Sequence, residues 1–190
     1  MTAPGFALIG GGARSGKTSF ALRLAMRRGP RRVFIATAEG LDDEMRERIR
    51  LHRTERGDQF TTLEAPRDLD DCVRRLGRET PLPDVVVIDC LTLWLSNLLL
   101  AGMAQPEIEG RVADLASSLA AAPFRSLVVT NEVGMGVVPE SALGRTFRDI
   151  SGRAHQRLAS AAAEIYLAAL GTMLRLRPPP VALVEEGSDA

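Results

Sequence analysis

The sequence has few cysteines. Cys72 and Cys90 are the only two in 190 residues, they lie in helical and strand-like contexts, and they do not have the spacing of metal ligands. This scarcity excludes a disulfide-rich scaffold and a cysteine metal centre. We expect both side chains to be reduced, buried thiols of a cytosolic protein.

An excess of charge of either sign is also lacking. The 24 lysines and arginines balance the 24 aspartates and glutamates, so the formal net charge is zero. No overall field would attract nucleic acid or an anionic membrane surface. We therefore predict no nucleic-acid and no membrane partner, and we expect any anion to be bound at a local site.

Long apolar runs are absent as well. The N-terminal stretch MTAPGFALIGGG has no charged segment followed by a long apolar one, and no run reaches the roughly 18 apolar residues of a membrane helix. These features predict a soluble protein of the cytoplasm.

Lysine is rarer still. Lys17 is the only lysine, and every other basic residue is an arginine. Genomic base composition accounts for the bias along the chain, because the two side chains differ in chemistry only at particular sites. It does not account for the position of the exception, the seventh residue of GGARSGKT. A compact ammonium fits between the β- and γ-phosphates of a nucleotide, where a wide guanidinium would clash with the loop.

Short apolar runs alternate with longer amphipathic segments, which is typical of an α/β protein whose mostly parallel sheet is flanked by helices. The length and the 45% hydrophobic content suit a single domain over residues 1–190. Strands are predicted at 6–9, 32–36, 85–89, 127–130 and 164–169, with a weaker one at 173–176. Helices are predicted at about 17–28, 42–56, 68–76, 92–100, 108–121 and 141–162. The tail from about 176 to 190, with three consecutive prolines and an acidic end, is predicted to be extended or frayed.

The segment GGARSGKT matches the phosphate-loop pattern and stands between the apolar run FALI and a helical pattern. Its glycines allow backbone N–H groups to point at an anion, and the N-terminus of the next helix adds partial positive charge. We assign Lys17 to the β/γ-phosphates and the Thr18 hydroxyl to Mg²⁺. A glycine-rich turn that merely caps a helix is the structural alternative. The predicted nucleotide-binding residues here are Gly11, Gly12, Ala13, Arg14, Ser15, Gly16, Lys17 and Thr18.

A second ligand for the metal is expected at the end of a neighbouring strand. In DVVVIDC, Asp89 follows four apolar residues, at the edge where α/β sheets bind their ligands. The alternative interpretation is that Asp89 caps the next helix and has no role at the metal.

Together with that loop and strand, three further segments resemble one family. They are IATAEGLDDEMRERIRLHR, DCLTLWLSNLL and VTNEVGMGVVPESALGRTFRDISGRAHQRLA. The chain strongly resembles the bifunctional adenosylcobinamide kinase and adenosylcobinamide-phosphate guanylyltransferase of cobalamin biosynthesis. The resemblance implies that a nucleoside triphosphate phosphorylates the aminopropanol hydroxyl of adenosylcobinamide, and that GTP then donates GMP to that phosphate. It also implies a homotrimer in which the corrinoid meets two subunits. We expect a P-loop NTPase fold of the RecA-like, recombinase-like type.

By the resemblance, His52 carries the GMP as a covalent intermediate. The residues alone favour a solvated helix face, since His52 lies in a densely charged segment. A neutral imidazole is nevertheless a competent nucleophile towards an α-phosphorus, and Arg48 and Arg56 share its helical face. Relatives with two adjacent histidines differ from this chain, which has Leu51 and then His52. We take His52, which matches the final motif position, as the nucleophile.

The resemblance also extends the guanine-nucleotide site beyond the loop. The residues carried over by position are Thr37, Ala38, Glu39, Arg56 and Glu64. A carboxylate such as Glu39 or Glu64 accepts from guanine N1–H and N2–H₂, which adenine cannot match. Surface or capping carboxylates are the alternative interpretation.

The segment TNEVGMGVVPE follows a strand at the same expected edge. Glu132 is a candidate to orient Mg²⁺-bound water or to accept the substrate's hydroxyl proton, while Gly134 and Gly136 permit a loop to close. A plain strand-to-helix turn also explains the glycines.

The following helical stretch holds His155 and several arginines. We interpret His155 as a packing or structural hydrogen-bonding residue. The arginines Arg145, Arg148 and Arg153 either stabilise transferring phosphate or form a solvated basic face.

Two other functions remain open at this point. One is a small-molecule kinase in which His52 is incidental, and the other is a non-enzymatic nucleotide switch. The sequence does not decide between ATP and GTP as the kinase donor.

Overall fold

The structure, a computed structural model, describes residues 4–39 and 57–184. Within these ranges eight strands form one sheet in the order β3-β2-β4-β5-β1-β6-β7-β8. The strands are β1 Phe6–Gly11, β2 Arg32–Ala36, β3 Thr61–Glu64, β4 Val85–Asp89, β5 Arg125–Val129, β6 Glu164–Ala169, β7 Thr172–Arg177 and β8 Ala182–Val184. The first six in spatial order are parallel, and β7 and β8 continue the sheet in antiparallel fashion.

Five helices of the described ranges cover the sheet. They are α1 Lys17–Met26, α2 Leu69–Leu76, α3 Leu91–Leu100, α4 Gln105–Ala121 and α5 Ala142–Ala161. A 3-10 turn at Gly57–Gln59 precedes β3. None of these helices has both the length and the apolar character needed to cross a membrane.

Alternation along the strands creates two cores, one on each face of the sheet. Phe6 and Leu8 of β1 pack against α2, α3, α4 and α5 on one face. Ala7 and Ile9 point the opposite way and pack with α1 on the other face. The central strands β1, β4 and β5 are therefore buried on both sides, as parallel sheets require, and their sequences are mostly continuous apolar runs.

The predicted mostly parallel α/β architecture is confirmed. The structure reproduces the predicted bounds of β2, β4 and β6, and the other predicted strands and helices within the described ranges differ by one to three residues at their ends. The predicted helix at 42–56 lies outside the described residues. Two strands were missed. β3 is short and mostly exposed, and β8 lies within the segment that we predicted to be an extended or frayed tail.

Candidate nucleotide-binding site

The predicted phosphate loop joins the end of β1 to the start of α1. Gly11 has φ +146° and Gly16 has φ +86°, values that L-residues rarely adopt. A Cβ added to Gly11 would lie 2.6 Å from the carbonyl oxygen of Ala168 on the adjacent strand β6, so no larger residue fits there. Helix α1 begins at Lys17, directly after the loop, and has no side-chain cap. The N-terminus of a helix is the end that binds anions.

Lys17 lies beneath this loop. Its side chain is only 5% exposed, while Gly12, Ala13 and Arg14 are exposed. The Lys17 ammonium donates to the carbonyl oxygen of Gly12 at 2.5 Å and to the Ser15 hydroxyl at 3.2 Å. These contacts hold the positive charge of Lys17 at the loop, as the phosphate-loop pattern predicts.

Asp89 faces the loop from the end of β4. The Thr18 hydroxyl donates to the Asp89 carboxylate at 2.8 Å, so the two predicted metal ligands are in direct contact. The N-cap of helix α3 is Cys90, the residue after Asp89. A hydroxyl and a carboxylate are oxygen donors of the type that Mg²⁺ prefers. The pair therefore fits that ion.

The segment after β5 runs beside the phosphate loop. The backbone N–H of Thr130 donates to Ile9, and that of Glu132 donates to the Gly11 carbonyl at 2.9 Å. The Glu132 carboxylate, 28% exposed, accepts from the Gly134 N–H at 2.6 Å. The predicted proton acceptor thus lies next to the first residue of the loop.

The family model for cobinamide kinase / cobinamide phosphate guanyltransferase matches residues 7–176 of this chain. The chain belongs to this family.

Relatives of the cobinamide kinase family from three bacteria are similar to this chain over most of its length. The bifunctional adenosylcobalamin biosynthesis protein CobU of Salmonella typhimurium is 38% identical over 182 residues, covering 90% of this chain and 98% of the relative. The protein of the same name from Escherichia coli is 37% identical with the same coverage. CobP of Pseudomonas aeruginosa is 39% identical over 174 residues, covering 92% of this chain and 98% of the relative.

Solved structures with the same fold are more distant. The RadB recombinase gives a TM-score of 0.53 at 15% identity, covering 96% of this chain and 87% of that one. A KaiC-like protein from Pyrococcus horikoshii gives 0.52 at 15% identity, covering 95% and 78%. At this identity the likeness shows the fold alone, and it confirms the predicted recombinase-like architecture.

Several predicted guanine-site residues of this family member lie at the same sheet edge. Glu64 ends β3 and is in register with Ala36, which is in turn in register with Asp89. Thr37 is fully buried, and its hydroxyl bonds both the N–H and the carbonyl of Cys90 at 2.7 Å. That hydroxyl joins the ends of two strands, which is a structural role.

Glu39 is held by Arg67, at 2.9 Å from Nε and 3.3 Å from a terminal nitrogen. Ala38 lies between Thr37 and Glu39 and is partly buried. Arg48, His52 and Arg56 lie outside the described residues.

Asn97 holds this part of the site together, and sequence reasoning missed it. Its amide donates to the carbonyl of Thr37 at 2.8 Å and to that of Pro66 at 2.9 Å, so it ties together the loops after β2 and β3. The available signal was one amide within the apolar helix LWLSNLLL, because a buried polar group needs partners.

The three arginines of α5 have different partners. Arg145 donates to the carbonyls of Pro139 and Glu140, and Arg148 donates to that of Gly134. Arg153 forms an ion pair with Glu109 on α4 at 2.7 Å. The first two hold the loop after β5, whereas Arg153 connects two helices.

His155 forms the structural hydrogen bond that we predicted. Its Nε2 lies 2.8 Å from the Thr130 hydroxyl, and its Nδ1 lies 3.5 Å from the Glu132 carboxylate. Burial lowers the pKa of His155, and the adjacent Glu132 opposes that shift.

Both cysteines are free and buried. Burial, with a smaller contribution from Asp89, raises the pKa of the Cys90 thiol to about 12. Among the described residues no group of three or more His, Cys, Asp or Glu side chains is placed to hold a metal ion.

Proposed function

We propose that this chain phosphorylates adenosylcobinamide with a nucleoside triphosphate and then transfers GMP from GTP to the resulting phosphate. The observation that carries the proposal is the contact of Thr18 with Asp89 beside the buried Lys17, in a chain that matches the cobinamide kinase family over residues 7–176. A corrinoid is the proposed partner, and ATP or GTP the proposed phosphoryl donor.

The kinase step uses the phosphate loop and Glu132. Amides of the loop bind the β- and γ-phosphates, and the Lys17 ammonium stabilises the charge that develops there. Thr18 and Asp89 would hold Mg²⁺, which, when bound, neutralises further phosphate charge. The substrate oxygen bonds to the γ-phosphorus, the bond to the β-phosphate oxygen breaks, and the hydroxyl proton passes to the Glu132 carboxylate.

The guanylyl step uses His52. Its imidazole attacks the α-phosphorus of GTP and pyrophosphate leaves, after which the substrate phosphate displaces the histidine. His52 follows β2 in the chain, and the last residue of that strand, Ala36, is in register with Asp89. This strand end lies at the edge of the sheet where α/β proteins bind their ligands, which supports His52 as a residue of the same site.

For recognition of guanine, the two candidate carboxylates are Glu39 and Glu64. Glu39 has both oxygens engaged by Arg67. Glu64 is exposed at the carboxyl end of β3, in register with Ala36. Its position supports an acceptor for the guanine N1–H and N2–H₂ groups.

A homotrimer in the cytoplasm completes the proposal. The loop after β5 exposes Met135, Val137 and Val138 at 82%, 93% and 59%. Exposed apolar side chains beside a site support contact with a second subunit or with the corrinoid. Light scattering of the purified protein tests the trimer, and a monomer at micromolar concentration would contradict it.

Labelling with α-³²P-GTP tests the transferase. We expect wild type to form an acid-labile, alkali-stable adduct, and His52→Ala to form none while still phosphorylating adenosylcobinamide. If folded wild type forms no adduct but phosphorylates the corrinoid, the protein is a kinase only.

Lys17→Ala tests whether nucleotide turnover supports the function. We expect this variant to lose corrinoid-dependent turnover with ATP and with GTP, at a melting temperature close to that of wild type. If wild type itself binds nucleotide without turnover in the presence of adenosylcobinamide, the protein is a nucleotide switch.

A further inference from the structure

Helix α5 holds the segment after β5 at three points. Arg145 bonds the carbonyls of Pro139 and Glu140, Arg148 bonds that of Gly134, and His155 contacts Thr130 and Glu132. Because the Glu132 N–H bonds Gly11, the same segment is attached to the phosphate loop. The helix thereby fixes Glu132 relative to the phosphate loop.

His155 is the first member of a series of hydrogen bonds that includes two buried hydroxyl groups. The Asn131 N–H donates to the Thr92 hydroxyl oxygen at 2.7 Å. That oxygen lies 3.1 Å from the Thr130 hydroxyl, which lies 2.8 Å from His155 Nε2. Thr92 and Thr130 are 6% and 2% exposed, so water does not compete for these bonds.

The position of each proton in this series of hydrogen bonds follows from Glu132, the group at one end. An ionised Glu132 only accepts, so the facing Nδ1 of a neutral His155 must carry the hydrogen. Nε2 is then an acceptor, Thr130 donates to it, and Thr92 donates to Thr130. The reverse order would place the Nδ1 lone pair against the carboxylate. Burial favours the neutral ring that this order needs.

We propose that His155 is a positioning residue for the kinase step, holding Glu132 to accept the substrate's proton through its Nδ1–H. This inference rests on the proposed function. His155 Nδ1 faces one carboxylate oxygen at 3.5 Å, and the Gly134 N–H bonds the other at 2.6 Å. These two contacts orient both carboxylate oxygens, which is what a general base needs in order to accept the substrate's proton in a fixed geometry. His155 itself takes no proton, since Nδ1 is already protonated and Nε2 is occupied.

Two conservative variants separate this role from packing. Asparagine can place its amide nitrogen, a donor, near the position of ring Nδ1, whereas glutamine can place its amide oxygen, an acceptor, near the position of Nε2. His155→Asn therefore keeps a donor towards Glu132, whereas His155→Gln keeps only the contact with Thr130.

Rates of adenosylcobinamide phosphorylation provide the first test. We expect His155→Gln to lower kcat by about ten- to a hundredfold with nucleotide KM unchanged, and His155→Asn to stay within about threefold of wild type. Adduct formation from α-³²P-GTP should be unchanged in both, because that half-reaction removes no hydroxyl proton. Equal losses in both variants, or losses confined to KM or melting temperature, would overturn the proposal.

A double variant tests the link to Glu132. On a Glu132→Gln background, His155→Gln should cause no further loss of kcat, because the group that it orients is gone. Independent, additive losses would contradict the proposal.

The tautomer of His155 is a readout that needs no activity. The chain has two histidines, so ¹⁵N spectra of wild type and His52→Ala assign the ring of His155 directly. We expect a neutral ring protonated at Nδ1, and protonation at Nε2 would overturn the inference even in an active enzyme. A wild type that does not phosphorylate the corrinoid would instead contradict the proposed function, and the spectrum would then still show whether Nδ1 carries the proton that faces Glu132.

Discussion

The hydroxyl of Thr18 and the carboxylate of Asp89 lie 2.8 Å apart although 71 residues separate them in the chain. One belongs to the first turn of α1 and the other to the end of β4. Parallel strands bring both to the same edge of the sheet, where the two oxygens form one polar site.

Replacement of Thr18 by valine should lower corrinoid-dependent turnover by about a hundredfold, because valine keeps the shape but loses the oxygen that we assign to Mg²⁺. Thr18→Ser, which retains the hydroxyl, is the matched control and should keep most of the rate. Initial rates at a series of Mg²⁺ concentrations measure the effect. EDTA should abolish turnover, and a Thr18→Val enzyme with the wild-type rate would disprove the assignment.

Gly11→Ala should lower the free energy of unfolding by about 2–3 kcal/mol and weaken nucleotide binding. The new Cβ would lie 2.6 Å from the Ala168 carbonyl oxygen, at a φ of +146°. Gly110→Ala is the control, since that exposed position within α4 has open space and should gain up to about 1 kcal/mol. Urea unfolding of both variants gives the comparison. A Gly11→Ala protein as stable as wild type would refute this reading of the loop.

Asp70→Ala should destabilise the fold by about 2–4 kcal/mol. The Asp70 side chain is 3% exposed and accepts from two nitrogens of Arg111, one of them at 3.0 Å, so its loss leaves that guanidinium without its buried partner. Asp71→Ala removes an exposed ion pair with Arg74 and should destabilise the fold much less than Asp70→Ala. Thermal and urea unfolding measure both, and equal effects would contradict the distinction.

The Cys90 thiol should resist alkylation at pH 8 in the folded protein, because burial raises its pKa to about 12. The unfolded thiol ionises near pH 9, so the stabilisation from burying the neutral form is complete below that pH. It is lost as the pH rises from about 9 to about 12. Cys90→Ala should therefore show a smaller loss of unfolding free energy between pH 8 and 11 than wild type. Rapid labelling of native Cys90 would be inconsistent with the burial.

The sequence predicted most of the sheet because its central strands are short apolar runs between turn residues. In β4, Val85–Asp89, four buried residues precede one polar residue, so the sequence showed where the strand begins and ends. In β3, Thr61–Glu64, three of four side chains are exposed, because the strand lies at the edge of the described sheet. Such a strand forms through backbone bonds to its neighbour and has no apolar pattern to reveal it.

The phosphate loop was predictable from local sequence alone, because its glycines and the lysine at the start of the helix lie within eight consecutive residues. The apolar run before Asp89 likewise predicted that this residue ends a strand. Only the tertiary structure decided that His155, Thr130 and Thr92 form one chain ending at Glu132, and that Glu39 is held by Arg67. The physical reason is range: a turn or a helix is specified by neighbours in sequence, whereas these contacts depend on which strands are adjacent and on how the helices pack across them.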